Sequence, residues 1–119
     1  VLSLLGESRP LRVTVMGIGR FGGGIGAAGF LSGRGHRVTL TDLKEGERLA
    51  EARAALAGVG AEWHLGEHRP EDFTGADLVV ASPAVPRTSR WLHLAVESGA
   101  AVTSEMNLFL ALCRAAVAG

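Results

Sequence analysis

Gly17, Gly19 and Gly22 stand in the spacing G-x-G-x-x-G, within the run Gly17-Ile18-Gly19-Arg20-Phe21-Gly22. Glycine at these positions allows a tight turn, close approach of a ligand to bare backbone, and close packing of a following helix on a preceding strand. The free N–H groups and partial positive charge of a helix that starts there suit a phosphate or diphosphate. The spacing alone is a weak signal, since a tight strand–helix turn without a ligand uses the same residues. Asp42 lies 20 residues beyond Gly22. A carboxylate there can accept hydrogen bonds from ribose hydroxyls, or from the N3–H of a uracil ring. A solvated strand end or a helix N-cap is the alternative. Lys44 could set a cation beside a nucleotide, although an exposed lysine needs no ligand. A third candidate is Ser82-Pro83-Ala84-Val85-Pro86. Two prolines stiffen this stretch, and the small Ala84 could let it lie flat against a base. An ordinary proline turn reads the same way.

Other chemistries find less support. His64 and His68 are four apart, a zinc spacing on a helix, but they fall on a strand and a loop, and no third ligand accompanies them. The single cysteine, Cys113, lies in an apolar run and reads as a buried structural thiol. It leaves no internal disulfide and fits a reducing compartment. No Ser/His/Asp set, no carboxylate pair placed for acid–base work and no G-x-x-x-x-G-K-[ST] phosphate loop is present. A formal net charge of zero with scattered basic residues argues against nucleic acid as a partner. No apolar run approaches the roughly 20 residues that span a bilayer, so no membrane partner is expected.

Periodicity indicates the strands and helices that carry these residues. Leu11–Met16 alternates as a strand, with Leu11, Val13 and Val15 on one face. Phe21–Arg34 reads as a helix with Ile25, Ala28 and Leu31 inward and Phe30 as a further candidate; Gly35 is its stop. Arg37–Asp42 is a second strand, and 43–58 contains a helix with Leu49, Ala52 and Leu56 inward. Ala61–Leu65 is a short third strand, 66–75 a polar loop, and Ala76–Ser82 an apolar fourth strand buried on both faces. Trp91–Gly99 is a helix, Ala100–Ser104 a fifth strand and Glu105–Gly119 a last helix. Strands alternating with helices over 119 residues predict one α/β domain, a Rossmann-like parallel sheet of about five strands with flanking helices. Ligands of such sheets bind outside the carboxyl ends of the strands. The glycine turn, Asp42 and the Ser82 loop converge there. Arg114 is the one charged side chain of Leu108–Gly119, and so apolar a helix is expected to pack on a further element.

The stretches GIGRFGGGIGAAGFL, VTLTDLK, HLGEHRPEDFTGADLVVASPAVP and VTSEMNLFLALC together resemble the N-terminal domain of the Mur ligases, most closely the branch that adds D-glutamate. The resemblance runs from about Leu11 to Cys113. It implies a cytoplasmic enzyme of peptidoglycan-precursor synthesis that uses ATP and magnesium to form an acyl phosphate, which an amino acid amine attacks. It implies that residues 1–119 are an isolated domain holding the UDP end of UDP-N-acetylmuramoyl-L-alanine. No cofactor is then expected in this segment, which should be inactive without the ATPase and C-terminal domains. The glycine turn, with Gly17, Gly19, Arg20, Phe21 and Gly22, would lie on the diphosphate. Asp42, Leu43 and Lys44 would lie at uracil, and Ser82, Pro83 and Ala84 would cover the base. Phe21 and Leu43 stand where some relatives carry hydroxyl residues, and Asn107 where an acidic residue is usual. Backbone N–H contacts survive the first of these changes.

Two other readings use some of the same residues. A nicotinamide-dinucleotide-binding domain of an oxidoreductase or sensor explains the glycine turn and Asp42, but not SPAVP or TSEMNLF. An interaction module would use the glycines for close packing alone.

Overall fold

The computed structural model describes residues 10–17, 23–42, 61–82, 85 and 88–104. The expected helix within 43–58, the last helix and Cys113 lie outside these residues. β1 (Arg12–Met16), β2 (Arg37–Asp42), β3 (Glu62–Leu65), β4 (Leu78–Ala81) and β5 (Ala101–Ser104) form one five-stranded sheet in the order β3-β2-β1-β4-β5. Every pairing is parallel. The expected α/β class and strand number are both met.

Alternation along the strands divides the core in two. Leu11, Val13 and Val15 join Val38, Leu40, Leu78 and Val80 on one face, where Ala28 and Leu31 of α1 (Gly23–Gly33) cover them. Met16, Val79 and Ala81 point to the other face and meet Phe73 of α2 (Pro70–Thr74) with Leu92 and Ala95 of α3 (Arg90–Glu97). All four β4 residues are buried, as a strand covered by helices on both faces must be.

Gly35 ends α1 at φ +89°, and the His36 N–H reaches back to the Leu31 carbonyl at 3.1 Å. That is the left-handed stop that glycine makes without strain. Phe30 does not join the core. It is exposed, with the Arg34 guanidinium 5.0 Å over its ring. It lies one position off the Ala28–Leu31 stripe, so the helix turns it to solvent.

The stretch read as a polar loop, 66–75, contains α2. Pro70 occupies the first turn, Glu71 and Asp72 follow it, and Phe73 is fully buried. Proline pre-sets φ there without loss of a needed N–H, and acidic residues suit the positive helix start. Phe73 supplies the apolar anchor that the charged neighbours hide in the sequence. The helix is tied to the sheet where the Thr14 hydroxyl donates to the Asp72 carbonyl at 2.5 Å. α3 starts one residue earlier than read, because the Ser89 Oγ caps it by accepting from the Trp91 N–H at 3.3 Å.

Candidate functional site

The strand order reverses between β1 and β4: from β1 the chain builds outward through β2 to β3, and from β4 outward to β5. In open parallel sheets this reversal leaves a crevice at the carboxyl ends of the two central strands. The register places Thr41, Met16 and Ala81 side by side there. One residue further on stand Asp42, Gly17 and Ser82, a single row across three adjacent strands. Their alternation continues Val38–Leu40, Val13–Val15 and Leu78–Val80, so all three share the α1 side of the sheet. Neighbouring strands are spaced about 4.8 Å apart, so the row from Asp42 to Ser82 spans about 10 Å.

Hydrogen bonds hold the row in place. The Gly17 N–H donates to the Thr41 carbonyl at 2.8 Å, and the Ser82 N–H to the Met16 carbonyl at 2.9 Å. The Val85 N–H closes a turn onto the Ser82 carbonyl at 2.9 Å. Gly17 has φ +83°, and a Cβ there would stand 2.9 Å from the Ser82 Cβ and 3.7 Å from Val85 Cγ2. The first glycine is thus required twice, by its backbone conformation and by the closeness of the β4 end. Of the residues singled out in the sequence, the structure brings Gly17, Asp42 and Ser82 together. Gly19, Arg20, Phe21, Gly22, Leu43, Lys44, Pro83 and Ala84 lie outside the described residues.

A polar and aromatic cluster supports this row from the opposite face of the sheet. The Thr41 hydroxyl, fully buried, pairs with His68 Nδ1 at 2.7 Å. The His68 ring meets Phe73 and Trp91 edge-on at 5.8 and 5.7 Å, and those two stack at 5.3 Å. The Arg90 guanidinium covers the Trp91 ring at 4.7 Å. Burial pushes the His68 imidazole below its ordinary range, while the carboxylates of Asp42 and Asp72 act in the opposite direction. His64 Nδ1 pairs instead with Asp72 Oδ2 at 2.5 Å, with Glu62 3.6 Å from its other nitrogen. The two histidines therefore have separate partners. Among the described residues no group of three His, Cys, Asp or Glu is placed to hold a metal ion. The His68–Thr41 pair is not legible in periodicity, because a loop histidine and a strand threonine 27 residues apart meet only through the sheet. The Arg69-Pro70-Glu71-Asp72 run was the available signal, since it marks the helix start that fixes His68 beside β2.

A separate hollow of about 750 Å³ lies toward the amino ends of the strands, with Arg12, Arg37, Glu62 and Glu71 among its lining. Its mixed charges and its distance from Gly17, Asp42 and Ser82 set it apart from the row. No helix among the described residues is long and apolar enough to cross a membrane.

Gly17, Asp42 and Ser82 thus stand together at the switch point of a doubly wound parallel sheet. Residues 11–104 match the family model described as Mur ligase MurD-like, N-terminal domain, and the chain belongs to that family. It is 45% identical over 108 residues to the UDP-N-acetylmuramoylalanine--D-glutamate ligase of Roseiflexus sp. (strain RS-1), covering 91% of this chain and 23% of the relative. It is 43% identical over 102 residues to the enzyme of the same name from Trichlorobacter lovleyi, covering 86% of this chain and 22% of the relative. The chain thus spans under a quarter of the length of these two curated relatives. Among solved structures, the UDP-N-acetylmuramate-alanine ligase of Thermotoga maritima superposes with a TM-score of 0.66 at 21% identity, over 83% of this chain and 22% of that one. This likeness establishes a shared fold. The family match leaves the nicotinamide-dinucleotide alternative without support.

Proposed function

We propose that this chain binds the UDP moiety of UDP-N-acetylmuramoyl-L-alanine for a ligase that adds D-glutamate to it in peptidoglycan-precursor synthesis. The observation that carries the reading is the row of Gly17, Asp42 and Ser82 at the switch point, in a chain of the MurD-like family. In this reading the backbone N–H groups of Gly19, Arg20, Phe21 and Gly22 take the diphosphate, where a bare backbone and a helix start favour an anion. Asp42, with Leu43 and Lys44, faces uracil, whose N3–H donates to the carboxylate. Ser82, Pro83 and Ala84 lie over the base, on the stiff backbone that the prolines supply.

The chain's own task is to bind and orient. ATP and magnesium are assigned to a central domain of the parent enzyme, since this sequence carries no phosphate loop of the G-x-x-x-x-G-K-[ST] kind. The chemistry supplied there is activation of the substrate carboxylate for attack by an amine, with ADP formed. No residue of this chain is assigned to that step, so the chain alone is expected to be inactive. A cytoplasmic setting follows from the same reading.

The test is an amide NMR titration of the isotope-labelled chain with UDP-N-acetylmuramoyl-L-alanine, with NAD run in parallel. Shifts confined to Gly17–Gly26, Asp42–Lys44 and Ser82–Ala84 with the UDP ligand, and none with NAD, are expected. Shifts with NAD alone would overturn the reading.

A further inference from the structure

The end of β2 is fixed by two contacts with the segment that follows β3, one along the sheet edge and one on the face away from the row. The Gly66 N–H donates to the Asp42 carbonyl at 2.9 Å, and two residues later His68 Nδ1 meets the Thr41 hydroxyl at 2.7 Å. Thr41 is therefore held through its side chain and Asp42 through its carbonyl. The same Thr41 offers its carbonyl to the Gly17 N–H, so its placement is passed directly to the first residue of the glycine turn. The His68 ring has little freedom to move, because Phe73 and Trp91 close on it edge-on. A buried hydroxyl that loses its partner is costly to leave unpaired. Thr41 is fully buried, and His68 is the partner that satisfies its hydroxyl and orients it.

We propose that His68 is a positioning residue for the substrate site, acting through the Thr41 hydroxyl to set both Asp42 and the Gly17 end of the glycine turn. This rests on the reading of the row as a UDP-binding site. His68 sits on the face of the sheet away from the row and does not itself meet the ligand. Its effect reaches the site through one side-chain hydrogen bond and one backbone hydrogen bond in series.

The test uses the labelled 119-residue chain and four proteins: wild type, His68→Leu, His68→Asn and Thr41→Val. Two quantities are read, the affinity for UDP-N-acetylmuramoyl-L-alanine and the amide exchange rate of Gly17 relative to core amides such as Val15 and Val80. His68→Leu and Thr41→Val are expected to weaken binding about fivefold to tenfold, the loss of one buried hydrogen bond. They should speed exchange at Gly17 more than in the core. His68→Asn, whose amide can meet the Thr41 hydroxyl from the Nδ1 position, should restore both. A purely structural role would speed all amides together and leave the affinity of the folded chain unchanged. Wild-type affinity and Gly17 exchange in the Leu and Val variants would overturn the proposal and leave the reading of the site intact, as would an Asn variant as weak as Leu. Failure of the wild-type chain to bind would overturn that reading and the substrate role of His68 with it.

Discussion

A Cβ built on Gly17 would lie 2.9 Å from the Cβ of Ser82, inside the distance that two such carbons tolerate. The β1 and β4 ends are that close because the Ser82 N–H is bonded to the Met16 carbonyl. Gly17→Ala should therefore destabilise the chain by two separable effects. One is the backbone strain of φ +83°, about 1–2 kcal/mol for a residue with a Cβ. The other is the collision with β4. Gly35→Ala is the control, since Gly35 has φ +89° with no atom within 4 Å of the added Cβ. Urea unfolding should show the larger loss for Gly17→Ala. Measured against a Ser82→Gly single variant, Gly17→Ala should then cost only the strain.

Phe73 is the fully buried anchor of α2, stacked on Trp91. Phe73→Ala should cost about 3–5 kcal/mol in denaturant unfolding. Because the same ring closes on His68, the variant should also disturb the amide shifts of Thr41 and Gly17 under conditions where the chain stays folded.

Ser89 caps α3 through the Trp91 N–H. Ser89→Ala should lower stability by about 1 kcal/mol, whereas Ser89→Asp should retain most of it. The thermal midpoints of the two variants, compared with wild type, check this.

His68 gives the pH dependence a definite sign. Its folded-state pKa lies below the ordinary value of 6.5, so the unfolded chain takes up the proton first as pH falls. The contribution of neutral His68 to stability is complete above about 6.5 and is lost as pH drops through the folded value. Unfolding curves from pH 7.5 downward should show a loss in the wild type that is smaller in His68→Asn. The variant lacks the titrating ring, while the carboxylates of Asp42 and Asp72 and the Arg90 guanidinium on Trp91 stay in place.

Much of the architecture was legible in the chain itself. Alternating Leu11, Val13 and Val15 and the doubly buried Leu78–Ala81 are local patterns whose period fixes strand or helix before any contact is known. The α/β order then leaves few topologies, and it placed the candidate residues at the carboxyl ends of the strands. Two local readings failed for local reasons. Phe30 is one step off the inward stripe, and α2 is too short and too charged to show a helical period around its single apolar anchor.

Contacts between distant segments supply what no local pattern contains. The register of three parallel strands brings Asp42, Gly17 and Ser82, far apart in sequence, into one row. Parallel pairing has no short turn to set that register, so it emerges only when the two faces pack on their helices. The same packing joins Thr41 to His68 across the end of β2. Local patterns were enough for the class of fold and for the types of residue at the carboxyl edge of the sheet. Only the folded sheet determined which of them stand side by side, because distance between strands is set by backbone pairing and core packing and not by separation along the chain.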